Sequence, residues 1–486
     1  MIEQFDTVVI GAGSGGVTAS LVAAGLGKKV ALIERDRPGG ECLYTGCVPS
    51  KALLWLAKRV HTARGTADLG MNVSGLPEWS AVKSHLNNVI GKLEKVDSPQ
   101  AFEAAKISFV HGEARFTAPY TLEVRDGETL RTLNAKQFVL ATGSTAIVPK
   151  IDGLLETGFL THETLFDLEQ RPRHLAVLGG GPIGCEMAQA FCRLGSEVTM
   201  FQQGSRLIPK DEPEASNALL NALQADGVKV HLEARVTRAS KTETGIKLEL
   251  LTGETLEASH LLVATGKRPN VANLGLEMIG AAFDEHGLKV DATMRSTTCS
   301  YLWGAGDVTG GGMFTHTATE SGTLCALGSL GWLGRALAWI RAPAARAENI
   351  PWVTFTDPEI AHWGLTEAQA LERYGSRVEV VEYDFSQLDR ALTENETGFI
   401  KLIALKGWFG TPLMMRFVGA QVVASRAGEL IHLVSAPSRL WFHPLRLALS
   451  PHAYPTFAEA ARQTTLGFFA SGQALGHKRE ARVSKE

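Results

Sequence analysis

Six cysteines in 486 residues are too few for a disulfide scaffold. Four of them, Cys185, Cys192, Cys299 and Cys325, stand singly among apolar or small residues and read as small buried hydrophobes. Charge of one sign is also lacking. The 48 Lys and Arg nearly balance 51 Asp and Glu, so no field argues for nucleic acid, and membrane association is not expected. The N-terminus, MIEQFD, has no basic segment leading into an apolar one, so a cytoplasmic, reducing setting is expected. Long apolar runs are scarce. Thr323 to Ile340, TLCALGSLGWLGRALAWI, is interrupted by Arg335 and loosened by glycines, and reads as one buried helix. No His, Cys, Asp or Glu cluster has metal-ligand spacing, so no structural metal is expected. His362, His432 and His443 stand alone and read as surface or packing residues. The charged end, His477 to Glu486, reads as a solvated tail.

Against this background one stretch stands out, GGECLYTGCVPSK from Gly39 to Lys51. Cys42 and Cys47 are spaced to close a small ring, and Gly39, Gly40 and Gly46 permit the backbone to bring them together. Pro49 and Ser50 read as the opening of a helix. A helix N-terminus favours thiolate over thiol, and Lys51 adds a positive charge one turn in. A structural clip is the weaker reading, because so small a ring constrains little of the unfolded chain.

Two nucleotide signatures flank this pair in sequence. A β-branched run at residues 6–10 leads into Gly11-Ala12-Gly13-Ser14-Gly15-Gly16, then a helical segment, then a strand ending at Glu34. Gly11 suits a tight turn, Gly13 a close approach to pyrophosphate, Gly16 close helix–strand packing, and Glu34 the ribose hydroxyls. The pattern recurs at His174–Leu178, Gly179 to Gly184, and Glu197–Phe201. Matching segments, VLATG ending at Gly143 and LVATG ending at Gly266, close the two units. Two Rossmann-type units and two dinucleotides are therefore implied. The second unit has Gln202 and Gln203 where an acid would select NAD, and Arg206 lies nearby; this tilts the choice to NADPH over NADH. Gly306-Asp307 ends a further strand and suits a polyol such as ribityl. Beyond about residue 350 a third, mixed unit carries strands at Phe399–Ala404 and Phe417–Ser425 and a helix at Ala427–Val434, without a nucleotide signature.

Together these motifs closely resemble the class I pyridine nucleotide-disulfide oxidoreductases, which include glutathione reductase, dihydrolipoamide dehydrogenase and mercuric reductase. The resemblance implies an α/β fold with FAD and NAD(P) domains and a C-terminal α+β dimerisation domain. The expected divisions are 1–150 (FAD, with the disulfide), 151–275 (NAD(P)), 276–348 (return to FAD), 349–470 (interface) and 471–486 (tail). It implies that Cys42 attacks substrate, that Cys47 lies beside the flavin, and that Lys51 sits near the reactive ring with Glu186 as its partner. Gly11, Gly13, Gly16, Glu34, Ala114, Thr142, Gly143, Gly306 and Asp307 match FAD positions, and His316 matches the segment reaching the pyrimidine end. Gly179, Gly181, Gly184, Gln202, Arg206 and Gly266 match the nicotinamide nucleotide's positions. A homodimer is implied in which each chain lends its end to the other's active site.

This chain departs from the pattern at Tyr454, where dithiol-using relatives carry a histidine oriented by a glutamate; here Pro455, Thr456 and Glu459 follow. A tyrosine near pKa 10 is a poor proton shuttle at neutral pH, unless His452 substitutes. Tyrosine resembles mercuric reductase, yet no cysteine pair follows Cys325 to deliver a metal. Pro182 replaces a tyrosine that covers the flavin in many relatives. The expected activity is hydride transfer from NAD(P)H through flavin to Cys42–Cys47, and on to a disulfide, quinone or thiophilic metal such as Hg(II). A dihydrolipoyl dehydrogenase using His452 is the alternative. A redox sensor for a membrane or protein partner, suggested by Trp332, Trp339 and Trp408, is a third reading.

Overall fold

The computed structural model describes residues 2–342, 349–407, 414–436, 443–469 and 477–479. In the first body, parallel strands Ile107–His111, Val30–Glu34, Ile2–Ile10 and Thr129–Leu140 lie side by side, and Leu302–Gly304 joins the last of them in parallel. Strands Thr121–Asp126 and Glu113–Ala118 extend the sheet antiparallel. Val8, Val9, Leu32, Val139 and Leu140 are fully buried, as expected of a parallel sheet covered on both faces. The second body repeats the plan with Lys229–His231, Glu197–Phe201, His174–Leu178 and His260–Val263, all parallel.

Both copies turn on the same steric fact. Gly11 has φ +101° and a Cβ there would lie 2.3 Å from the Ala141 carbonyl oxygen; at Gly16 it would lie 1.8 Å from the Gly11 oxygen. Gly179 and Gly184 repeat this at 2.4 and 2.0 Å, against Ala264 and Gly179. Only glycine lets each strand turn so sharply into its helix, Ser14–Gly25 or Pro182–Arg193. Pro182 occupies the first helical turn, where its missing N–H costs nothing. A third close approach matters for the site. A Cβ on Gly322 would meet the Gly15 oxygen at 2.3 Å, so helix Thr315–Gly328 lies hard against Ser14–Gly25.

The third body is an antiparallel sheet in the order Trp352–Thr354, Glu359–Gly364, Arg416–Ala424, Phe399–Leu405, Val378–Asp384 and His477–Arg479. It is fixed to the second body by a buried ion cluster. Lys401, 1% exposed, reaches Glu212 at 3.0 Å, Glu214 at 3.4 Å and Glu367 at 2.6 Å. Burial opposes its charge, but Glu212 and Glu367 outweigh that and hold the ammonium protonated.

Several expectations are corrected. Residues 323–340 are not one buried helix: Gly331, at φ +94°, separates Thr315–Gly328 from a second helix, Trp332–Arg341, whose large side chains face outward. The helix expected at Ala427–Val434 is two short ones, Ala427–Leu430 and His432–Ser435. The expected tail begins as a strand, because His477–Arg479 completes the third sheet against Val380–Glu382. Its remainder, and Trp408, lie outside the described residues. Of the two readings given for His362, surface or packing, the structure has the second: it is fully buried, bonded to Gln421 and to the Gly364 carbonyl, and stacked on Trp352.

Removing the Lys401 ammonium leaves three carboxylates with an uncompensated buried charge. Lys401→Met is expected to destabilise the protein by about 3–5 kcal/mol, read as a fall in the urea midpoint; a cost below about 1 kcal/mol would contradict the cluster's role.

Candidate functional site

The redox stretch is folded tighter than its sequence suggests. Gly39 and Gly40 take φ +105° and +60°, and a Cβ on Gly40 would lie 2.8 Å from Gly13 Cα. The intervening residues form their own short helix, Gly40–Tyr44, carrying Cys42. The long helix begins at Cys47, two residues before the expected Pro49, so Cys47 occupies its first position. Unpaired N–H groups and the helix dipole therefore bear directly on its sulfur.

Cys42 and Cys47 are both free thiols here, and they converge on one hydroxyl. Thr315 Oγ1 lies 3.2 Å from Cys47 Sγ and donates to Cys42 Sγ at 3.4 Å. Sharing a proton with Cys42 lowers the Cys47 thiol; Thr315 and the Lys51 charge add to this against burial, bringing it to about 6. The same sharing, together with burial, pushes Cys42 well above the ordinary thiol range. The reduced pair thus carries one charge at neutral pH, on Cys47, with the proton on Cys42. Thr315 was missed by sequence reasoning, although it directly precedes His316 in a motif already singled out.

Lys51 Nζ lies 2.8 Å from Glu186 Oε2 and 4.5 Å from the centre of the Phe355 ring. Glu186 is buried on helix Pro182–Arg193, and its other oxygen accepts from the Phe355 amide at 2.9 Å. Lys51, Glu186 and Phe355 come from the three bodies and meet here. A second set of charges was not foreseen. Glu41, beside Cys42, lies 2.8 Å from Lys267 and 3.4 Å from His162. Burial works against its charge, but His162 and Lys267 prevail and hold its carboxyl at about 2. Lys267 also lies 3.0 Å from Asp307, whose Oδ2 accepts from Ser144 at 2.6 Å. The signal was present in sequence, as an acid directly before Cys42 and a lysine directly after Gly266.

These groups line a cavity of about 1690 Å³ that runs from Gly13 past Cys42, Cys47 and Lys51 to Gly179–Gly181. That exceeds the roughly 300–1,000 Å³ of a single-ligand pocket. Gly13 and Gly181 each precede a helix N-terminus, and a Cβ on either would meet only open space, so each leaves a phosphate-sized cradle at a dipole's positive end. The residues fit two dinucleotides. Gly143, Gly266, Gly306, Asp307 and His316 are also on the wall, and His316 stacks on Phe314 at 5.4 Å. Gly11, Gly16, Gly184 and Thr142 stand behind the wall as its scaffold, the Thr142 hydroxyl donating to the Asn270 carbonyl at 2.6 Å. Glu34 ends its strand and accepts from the Ala12 amide at 2.7 Å; Ala114 sits in the strand Glu113–Ala118.

In the second unit Gln202 Oε1 accepts from the Gly180 amide at 2.9 Å. Arg206 is not on the cavity wall: its guanidinium donates to the Pro209 carbonyl at 2.6 Å, and Lys210 and Arg235 are the cations there instead. Tyr454, His452 and Glu459 are not brought to Cys42 within one chain. Tyr454, 69% exposed, donates to Asp389 at 2.7 Å, while Glu459 accepts from Gln463 and His452 faces the Ser450 carbonyl. Asp389, not Glu459, orients the tyrosine.

The family model described as pyridine nucleotide-disulphide oxidoreductase matches residues 5–322, and that of its dimerisation domain matches 350–465. The chain is 36% identical to a mercuric reductase of Streptomyces lividans, over 94% of this chain and 95% of that one. It is 33% identical to a dihydrolipoyl dehydrogenase of Staphylococcus aureus, over 98% and 97%. Among solved structures it is similar to a Cu(II) complex of the HOCl-induced flavoprotein disulfide reductase RclA from Escherichia coli, at 26% identity and TM-score 0.83, covering 96% of this chain and 99% of that one.

The geometry of the sulfurs predicts one thiolate with a midpoint near 6 in the reduced protein, followed by thiolate ultraviolet absorbance. Below that pH Cys47 protonates and the signal is lost; Cys47→Ser abolishes it, and Thr315→Val moves the midpoint upward. A midpoint near 9, that of an ordinary thiol, would contradict the arrangement.

Proposed function

The chain belongs to the pyridine nucleotide-disulphide oxidoreductase family, and from that we propose that it oxidises NADPH and passes the electron pair through Cys42–Cys47 to a thiophilic acceptor, as mercuric reductase does. FAD, when bound, supplies the chemistry between nicotinamide hydride and disulfide. Gly13 and Gly181 would receive the two pyrophosphates at helix N-termini, Glu34 would receive a ribose, and Asp307 would receive the polyol. Lys51, held by Glu186, contributes a positive charge that favours the Cys47 thiolate, while the Glu186 carboxylate opposes it. Cys42 meets the acceptor. With a disulfide, Cys42 sulfur bonds one substrate sulfur as its proton passes to the other, which leaves as a thiol; the Cys47 thiolate then attacks the Cys42 sulfur, restoring the protein disulfide and releasing the second substrate sulfur as a thiolate that takes a proton from solvent.

The observation that carries the choice of acceptor is the Tyr454–Asp389 hydrogen bond. A carboxylate accepting from the phenol raises the tyrosine's pKa, so it stays protonated at neutral pH and serves as a donor, not a base. In the dimer that the family's dimerisation domain implies, this tyrosine would face the partner chain's thiol pair, and oxidising a dithiol such as dihydrolipoamide needs a base there. A disulfide, a quinone or a soft metal ion such as Hg(II) does not. The Cu(II) complex of the RclA relative supports a thiophilic metal among the acceptors. The NADPH reading rests on Lys210 and Arg235 at the wall and on a neutral Gln202.

Purified enzyme assayed with NADPH against Hg(II), glutathione disulfide, a benzoquinone and, in reverse, dihydrolipoamide is expected to turn over one of the first three. Brisk dihydrolipoamide oxidation would overturn the reading in favour of a lipoyl dehydrogenase. Gln202→Glu is expected to lower kcat/KM for NADPH by about tenfold or more, through repulsion of a 2′-phosphate, while sparing NADH. Equal effects on both nucleotides would remove Gln202 from selectivity.

A further inference from the structure

The helix Trp332–Arg341 is built the wrong way round for a soluble surface. Its buried positions are small: Gly334, Ala338 and Ala342 press against helix Thr315–Gly328, and a Cβ on Gly334 would meet the Leu327 oxygen at 2.1 Å. Its large apolar residues face out. Trp332, Trp339 and Ile340 are 76%, 72% and 71% exposed, with Leu333 and Leu337 at 58% and 47%. At about 100° per residue, Trp339, Trp332, Ala336, Ile340, Leu333 and Leu337 occupy one arc of about 160°, opposite the buried stripe. Arg335 and Arg341 fall about 40° beyond its two edges on the same count. A continuous apolar face of this kind is seldom left in water.

From this geometry we infer that the helix is a docking surface for the headgroup region of an anionic phospholipid bilayer. The arginine pair decides between occupants. An apolar arc bordered on one side by Arg335, and on the other by Arg341 held against Glu320, matches a helix lying in the membrane plane, its side chains among the acyl chains and Arg335 at phosphate level. Tryptophan favours the same depth. A second copy of this face would bring the same arginines opposite one another. The helix itself, Trp332–Arg341, holds no Asp or Glu to receive a second copy's Arg335, and Glu320 already takes Arg341 at 2.9 Å. No helix among the described residues is long and apolar enough to cross a membrane, so the contact is peripheral. The inference stands apart from the redox site and does not depend on its acceptor.

Flotation of the flavin-loaded protein with vesicles of phosphatidylglycerol and phosphatidylcholine, beside vesicles of phosphatidylcholine alone, tests this. Co-flotation with the anionic vesicles, weakened by salt, is expected. The double variant Trp332→Ser/Trp339→Ser should reduce it by about tenfold or more, and Arg335→Glu should reduce it with the tryptophans intact, both retaining NADPH-dependent dye reduction. Absence of flotation, or flotation unchanged by either variant, would overturn the proposal. So would a lower mass of the double variant by light scattering, which would make the face an interface between copies.

Discussion

One hydroxyl, between two sulfurs, depends on most of the chain being where it is. Thr315 reaches Cys42 and Cys47 only because its helix is pressed onto Ser14–Gly25 at Gly322, where any side chain would collide with the Gly15 carbonyl. The helix that receives it carries the first phosphate cradle, and its glycines are set by the turn out of the central strand. Nucleotide cradle and thiol pair are thereby spaced by backbone contact alone, which has little room to yield.

Charge then divides the pair. A helix N-terminus, Lys51 and the shared proton all favour the thiolate on Cys47, leaving Cys42 protonated. Glu186 holds Lys51 from the second body while its other oxygen takes an amide from the third. The cluster around Lys401 keeps those two bodies together at a distance from the chemistry. The site is thus a junction, and mutations that loosen the junction act on the thiols without touching them.

Both glycine turns, which depend on local backbone constraint, were legible in the sequence, while the Lys51–Glu186 contact, between residues 135 apart, was expected from the family resemblance. What was not legible depends on long-range packing. Thr315 and Lys267 are far from Cys42 and Glu41 in sequence and meet them only after folding. Arg206 was near the right place but is spent on a carbonyl, and Tyr454 took Asp389 because a turn and a short helix, not the following residues, face it. The run of residues 323–340 misled for a related reason: apolar content predicts burial only when the large residues, not the small ones, face the body.

The central claim is that electrons from the nicotinamide reach Cys42 and Cys47. Incubating air-oxidised, flavin-loaded protein anaerobically with NADPH, then alkylating and mapping the cysteines, tests it directly. Labelling of Cys42 and Cys47 only after NADPH, with Cys185, Cys299 and Cys325 unchanged, is the predicted result. Equal labelling of the pair with and without NADPH would contradict it.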